Sequence, residues 1–334
     1  MKILNLTDFA DRNWNWLKEE FDDPSLEWVH YPSQAIQLPA FIPKKATISR
    51  VVSAFQAVAS TVNKPALLVS HGPRPALYGG NFAKIMNPDL PHLVYSFNFT
   101  NLPNGFLHKS MTKAFKQADR FVVYSTLEKQ VYADYFDIPP ESIDMLHWAV
   151  HAPQPNLSEP PVEQGEYICA LGSQGRDYET LFAAMARLSN IKLVVVATQE
   201  CIRHLSIPDN VKVYTNIPLT QAHNILMHSR FMALPLRDSE VPCGHVTIVS
   251  GMFFKKAIIV TDSKGVHDYI TNEQTGLTFE PQNVDELAQK IQSLWENRAK
   301  TNTLAESGYA FAHQHCTHHN AVNYFKNFLS QINT

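Results

Sequence analysis

A two-domain α/β architecture, built from doubly wound parallel sheets, is the fold class this sequence predicts. Three observations lead to it. The chain has 334 residues, more than a single hydrophobic core usually serves. Short apolar runs alternate with helical patterns through both halves, as in βαβ units whose parallel sheet is covered on both faces. Midway the alternation lapses: His151-Ala-Pro-Gln-Pro-Asn-Leu-Ser-Glu-Pro-Pro161 holds four prolines and has the composition of a semi-rigid connector.

In the first half, strands are expected at 2–6, 26–30, 66–70, 92–98 and 120–125, with helices around 13–20, 47–62, 108–118 and 127–136. The second half restarts with strands at 167–171, 192–197, 211–214, 231–236 and 257–261. Its helices are expected at 178–188, 220–228, 244–254, 266–270 and 284–296, and the chain ends in helical stretches at 298–312 and 319–331. The expected organisation is a first Rossmann-like domain over 1–150, a linker over 151–166, a second such domain over 167–312, and a terminal helix over 313–334 crossing back to the first domain. Trp14, Trp16 and Trp28 are expected in the core, and Trp148 near the hinge.

Composition narrows the function. Hydrophobic residues make up 45% and charged residues 18%, as in ordinary globular proteins and unlike disordered ones. The formal net charge is −3 and no basic tract stands out, so nucleic acid is not an expected partner. No apolar run has the length of a membrane-spanning helix, and the start lacks a signal-peptide layout. Peripheral contact with a membrane stays open. Four cysteines without a C-x-x-C spacing suit reduced thiols and a cytoplasmic location.

In parallel sheets ligands sit beyond the carboxyl ends of strands. After the strand at 231–236 the chain enters a helix through Gly244. Such an entry presents free backbone N–H groups and a positive dipole end, a natural phosphate site. Thr247 and Ser250, three apart, put two hydroxyls on one face near that end, and His245 and Val246 lie in its first turn. After the strand at 167–171 comes Gly172-Ser-Gln-Gly175-Arg176, where a guanidinium can grip a diphosphate bidentately. In the first half, His71-Gly72-Pro73-Arg74 follows a strand, so a Gly-Pro turn would project His71 and Arg74 into a cleft; a capped loop with solvated charges is the alternative. Thr7, Asp8 and Asn98 also follow strands. The run His313-Gln-His-Cys-Thr-His-His319 is expected to be solvated or packed, with Thr317 as a helix cap. No Asp-x-Asp occurs, so no metal site is expected.

Several phrases of the second half carry a resemblance: Pro235, Glu240, Gly244, Met252, Lys256-Ala-Ile-Ile-Val-Thr-Asp262, Gly265-Val-His-Asp-Tyr-Ile270, Thr275-Gly-Leu277 and Val284-Asp-Glu-Leu-Ala288. Together they resemble the donor-binding domain of the retaining GT-B glycosyltransferases of family 4, the glycosyl transferases group 1. Gly175-Arg-Asp-Tyr-Glu-Thr-Leu181 is similar to that family's phosphate-contacting arginine loop, and Ala118–Ser125 resembles part of its acceptor domain. There are departures. Ser250 stands where the family has a second glutamate, Asn98 where it has a first-domain histidine, and Thr7-Asp8-Phe9-Ala10 replaces its Gly-Gly loop.

The resemblance implies a GT-B fold, two Rossmann-like domains facing a cleft. It also implies transfer of a sugar, with retention and without metal, from a nucleotide-diphosphate sugar to an acceptor. That acceptor is a sugar, a lipid-linked group, a peptide or a small molecule. A UDP- or GDP-sugar is the expected co-substrate, with no separate cofactor. Arg176, Glu240, His71 and Asn98 are then the catalytic candidates. Gly172, Gly175, Arg176, Glu240, Gly244, His245, Val246, Thr247 and Ser250 are the donor-binding ones. Two alternatives stay open: a degenerate protein that binds nucleotide sugar or a partner without turnover, and a nucleotide-sugar epimerase.

Overall fold

The computed structural model describes all residues except 10–13, 15, 22, 40, 62–63, 154–158, 238–241 and 333–334. Its contacts divide the chain into two compact units: residues 1–146 with 321–334, and residues 147–320.

Unit 1 begins with β1 (Lys2–Thr7), β2 (Glu27–Pro32), α1 (Lys45–Ala59), β3 (Ala66–His71) and α2 (Pro73–Met86). It continues with β4 (His92–Tyr95), α3 (Gly105–Phe115), β5 (Arg120–Val123), α4 (Thr126–Phe136) and β6 (Ile143–Met145). The six strands pair in parallel in the order β2-β1-β3-β4-β5-β6. From β2 onward each crossover steps the same way across the sheet, so right-handed connection puts α1 to α4 on one face. Leu4, Leu6, Leu68, Ala54, Val58 and Ala83 form the core between that face and the first two helices. Helices α2 and α3 pack closely at Gly80, where a Cβ would lie 2.7 Å from the carbonyl oxygen of Ala114.

Unit 2 comprises β7 (Ile168–Leu171), α5 (Tyr178–Met185), β8 (Leu193–Ala197), α6 (Gln199–Ile202), β9 (Val211–Thr215), α7 (Leu219–His228) and β10 (Met232–Leu234). Then come α8 (His245–Phe253), β11 (Ile258–Thr261), β12 (Leu277–Phe279), α9 (Val284–Glu296) and α10 (Arg298–His315). The last helix, α11 (His318–Ile332), belongs to unit 1 from Ala321 onward. This sheet is parallel too, in the order β12-β11-β10-β7-β8-β9. Successive residues of β7 feed opposite cores, Ile168 and Ala170 on one face, Cys169 and Leu171 on the other, the period-2 geometry of a strand buried on both sides.

Several elements differ from the sequence expectation. The Gly72-Pro73 segment opens a 14-residue helix instead of a loop: Pro73 sits at the first helical position, where a missing N–H costs nothing. The strand expected over 92–98 ends at Tyr95, because Ser96 turns the backbone to φ +54°. The helix expected at 13–20 is, among the described residues, a 3-10 turn at Lys18–Glu20, and that expected at 266–270 is a 3-10 turn at Lys264–Val266. Trp16, Trp28 and Phe21 pack around Phe325 of α11 at centroid distances of 5.1, 5.7 and 5.5 Å, a core position.

The described part of the proline-rich stretch is fastened to unit 2. Val162 N donates to Asn224 Oδ1 at 2.9 Å, and Asn224 Nδ2 donates to Pro160 O at 3.1 Å. The buried carboxylate of Glu163 accepts from Lys192, from Lys212 at 2.7 Å and from Tyr214 at 2.8 Å.

Candidate functional site

The carboxyl ends of β7, β8 and β10 and the start of α8 converge in unit 2. After β7 the chain turns through Gly172 (φ +100°) and Gly175 (φ +66°), backbone angles that side-chain-bearing residues rarely adopt. Arg176 then runs back under its own loop. Its Nε donates to Leu171 O at 3.0 Å, Nη1 to Gln174 O at 2.8 Å and Nη2 to Thr247 Oγ1 at 2.8 Å. The side chain is 7% exposed. Burial lowers its pKa, yet a guanidinium stays charged throughout the working pH range. A Cβ at Gly172 would come within 2.6 Å of Nη2, so the glycine is what lets the guanidinium lie against the loop. A backbone bridge between Arg176 and Leu236 ties this loop to the segment after β10.

Gly244 (φ +97°) is the N-cap of α8, and no side chain caps the helix there. His245 is buried at its first position: Nε2 donates to Gly265 O at 2.9 Å and the ring stacks on Tyr269 at 4.9 Å. Burial lowers its pKa, so this ring is neutral at pH 7 and shapes the helix start. Val246 is half-exposed. Ser250 Oγ donates to Val246 O at 2.8 Å.

A cavity of about 350 Å³ opens beside these groups. Gly172 and Ser173 bound it from the first loop, Thr198 from the end of β8, Asn216 and Ile217 from the end of β9, and Val246, Thr247 and Ser250 from α8. Gly172, Val246, Thr247 and Ser250 of the expected donor set thus line one hollow. Arg176 lies beneath it, joined through Thr247, while Gly175 and Gly244 shape its loops and His245 points away to Gly265. Ser173, Thr198, Asn216 and His223 were not singled out in the sequence. Ser173, Thr198 and Asn216 follow strands whose apolar patterns were visible, and that position was the available signal; His223 lies within α7.

Glu240 lies outside the described residues. His71 and Asn98 belong to unit 1. His71 ends β3 with its ring enclosed, not in an open turn: Nε2 meets Asn5 Oδ1 at 3.0 Å, and Trp16, Trp14 and Tyr95 surround it at 4.5, 4.7 and 5.8 Å. Burial, reinforced by His30, brings its pKa down to about 3. Arg74 is exposed on the first turn of α2 and Asn98 is exposed in the loop after β4.

Residues 164–311 match the family model of the glycosyl transferases group 1. The match falls within the second unit and spans most of it. Solved structures extend the likeness to nearly the whole chain. HepE of Anabaena, solved in complex with UDP, superposes with a TM-score of 0.73 at 15% identity, covering 99% of this chain and 100% of that one. HepE has also been solved with UDP-glucose. A glycosyltransferase from Rickettsia africae ESF-5 gives 0.69 at 16% identity, covering 99% and 98%. Sucrose-phosphate synthase from Thermosynechococcus elongatus gives 0.70 at 15%, covering 99% and 88%. A comparison with curated proteins gives no match. With two parallel six-stranded sheets flanked by helices, the protein has the GT-B fold.

Proposed function

We propose that the protein transfers a sugar from a nucleoside-diphosphate sugar to an acceptor with retention of anomeric configuration, and that protein groups alone stabilise the leaving diphosphate. The observation that carries this reading is the hollow between the Gly172 loop and the uncapped start of α8, with Arg176 buried beneath it. When the glycosidic bond breaks, negative charge gathers on the diphosphate. Backbone N–H groups at the start of a helix and a fixed guanidinium, held in a site sheltered from water, meet that charge without reorganising. Of the five guanidinium N–H donors, two hold the loop and a third reaches Thr247 on α8; the remaining two are assigned to the diphosphate. Ser250 takes a ribose hydroxyl, and Glu240 orients the donor sugar. UDP is the favoured nucleotide, because HepE binds UDP and UDP-glucose. Asn98 is assigned to the acceptor side, and the enclosed, neutral His71 to supporting the end of β3 from within. A cytoplasmic location belongs to the same reading.

A thermal-shift screen against UDP, GDP, ADP, CMP and dTDP, with and without EDTA, tests this reading, since a ligand that binds only the folded state must raise the melting temperature. The expected result is one nucleotide that stabilises equally with EDTA and no longer does so in Val246→Trp, which fills the hollow from a half-exposed position. Stabilisation by none of them, or a shift that EDTA abolishes, overturns it.

A further inference from the structure

Positive charge is distributed unevenly along this chain. Residues 41–118 hold nine Lys or Arg and one acidic residue, Asp89, whereas the remainder holds 19 basic against 30 acidic residues. No contiguous tract reveals this, because the charges are spaced over three helices. Helices α1, α2 and α3 contain Lys45, Arg50, Arg74, Lys84, Lys109 and Lys113 and no Asp or Glu.

The fold collects them. Right-handed crossovers place the three helices side by side on one face of the unit 1 sheet. Arg50 is engaged by Asp8 at 2.6 Å and Lys116 by Asp137 at 2.8 Å. Lys44, Lys84, Lys109 and Lys113 have no acidic partner among the described residues and are exposed. On α3, Phe106, Lys109 and Lys113 recur at helical spacing along one stripe. Apolar side chains stand out on these helices and just before the first: Phe106 of α3 is 88% exposed, Ile85 of α2 79% and Phe41, ahead of α1, 85%, and Phe55 of α1 leans on Phe82 of α2 at 5.6 Å.

From this combination we infer that the α1–α3 face of unit 1 docks on an anionic lipid surface. Unpaired lysines are drawn to acidic headgroups, at short range and in a salt-dependent way. Exposed phenylalanines and an isoleucine beside them enter the boundary between headgroups and acyl chains. The aliphatic Ile85 separates this surface from a nucleic-acid site, which reads bases by stacking and hydrogen bonding and has no use for it. Docking of this kind suits an acceptor that is itself lipid-linked.

The test is flotation of the full chain with phosphatidylcholine vesicles, either neutral or carrying about 30 mol % phosphatidylglycerol to set a negative surface potential. The full chain is expected to float with the anionic vesicles only, and to be released as salt rises. Lys84→Glu/Lys109→Glu/Lys113→Glu should bind at least roughly a hundredfold more weakly, since each basic residue near the surface contributes several-fold. Ile85→Ser/Phe106→Ser should weaken binding while leaving its salt dependence unchanged. All five positions are at the surface, so the variants should melt at the wild-type temperature, which separates lost docking from lost folding. Equal binding to neutral vesicles, no binding to either kind, or wild-type binding by both variants overturns the inference. So does capture by single-stranded RNA without capture by vesicles.

Discussion

Nη2 of Arg176 donates to Oγ1 of Thr247 at 2.8 Å, across 71 positions of sequence. This bond joins the loop after β7 to the first turn of α8. Thr247→Val keeps the shape but leaves a buried donor unpaired, which costs about 1–3 kcal/mol. The expected outcome is a lower unfolding midpoint in urea together with weaker nucleotide binding. Arg176→Lys should restore neither, because an ammonium cannot span Leu171 O, Gln174 O and Thr247 as a planar fork does.

Gly175 faces Cys243: a Cβ there would collide with the thiol sulfur, and its φ is +66°. Gly175→Ala should therefore destabilise unit 2 by two separable effects, the collision and roughly 1–2 kcal/mol of left-handed backbone strain. Adding Cys243→Ala should recover the first and leave the second. A double-mutant cycle on unfolding free energies reads the difference.

Glu163 sets an acid limit on stability. Burial alone would raise its pKa, but hydrogen bonds from Lys192, Lys212 and Tyr214 outweigh it and hold the carboxyl at about 2. A carboxyl whose folded pKa is depressed contributes stability above its unfolded value, about 4.5, and loses it as pH falls toward 2. Glu163→Gln should cost roughly 1–2 kcal/mol at pH 7, the two lysines being partly in water. The gap from wild type should close progressively below pH 4.5 in urea melts.

Glu128 carries the opposite sign. Burial pushes its carboxyl up to about 7, against hydrogen bonds from Tyr124 N, Ser125 Oγ and Tyr132 Oη. The folded state thus holds a proton that the unfolded chain releases near 4.5, and stability falls as pH rises from there to 7. Glu128→Gln should flatten that stretch of the stability profile. Because Tyr132 Oη also accepts from Phe99 N at 3.2 Å, amide exchange at Phe99 should quicken in wild type over the same range and stay constant in the variant.

Much of this architecture was legible for one reason. Strands such as Leu193–Ala197 are buried on both faces, so they stand out as unbroken apolar runs between helical patterns. Helix α2 was not legible. Its opening Pro-Arg-Pro and its Gly79-Gly80 pair have turn composition, and only the packed structure shows the prolines at a helix start and Gly80 against Ala114. Strand β12, three residues long, is too short for periodicity to register. At the site, Gly172, Gly244, Thr247 and Ser250 were readable from their places after strands. The inward bonding of Arg176 was not, since it depends on carbonyls and a hydroxyl that only folding brings near. The enclosure of His71 likewise depends on Asn5, Trp14 and Trp16, which no spacing rule connects.

The contact of Gly80 with Ala114 has a consequence for how unit 1 meets a surface. Two helices that touch backbone to backbone cannot slide or splay without opening a void, so α2 and α3 form one plate. Lys84 on one helix and Lys109 and Lys113 on the other therefore keep a fixed spacing before any partner arrives. A preorganised array loses little conformational entropy on engagement, so its affinity reflects the number and placement of its charges. Gly80→Ala would loosen the plate while leaving every charge in the sequence.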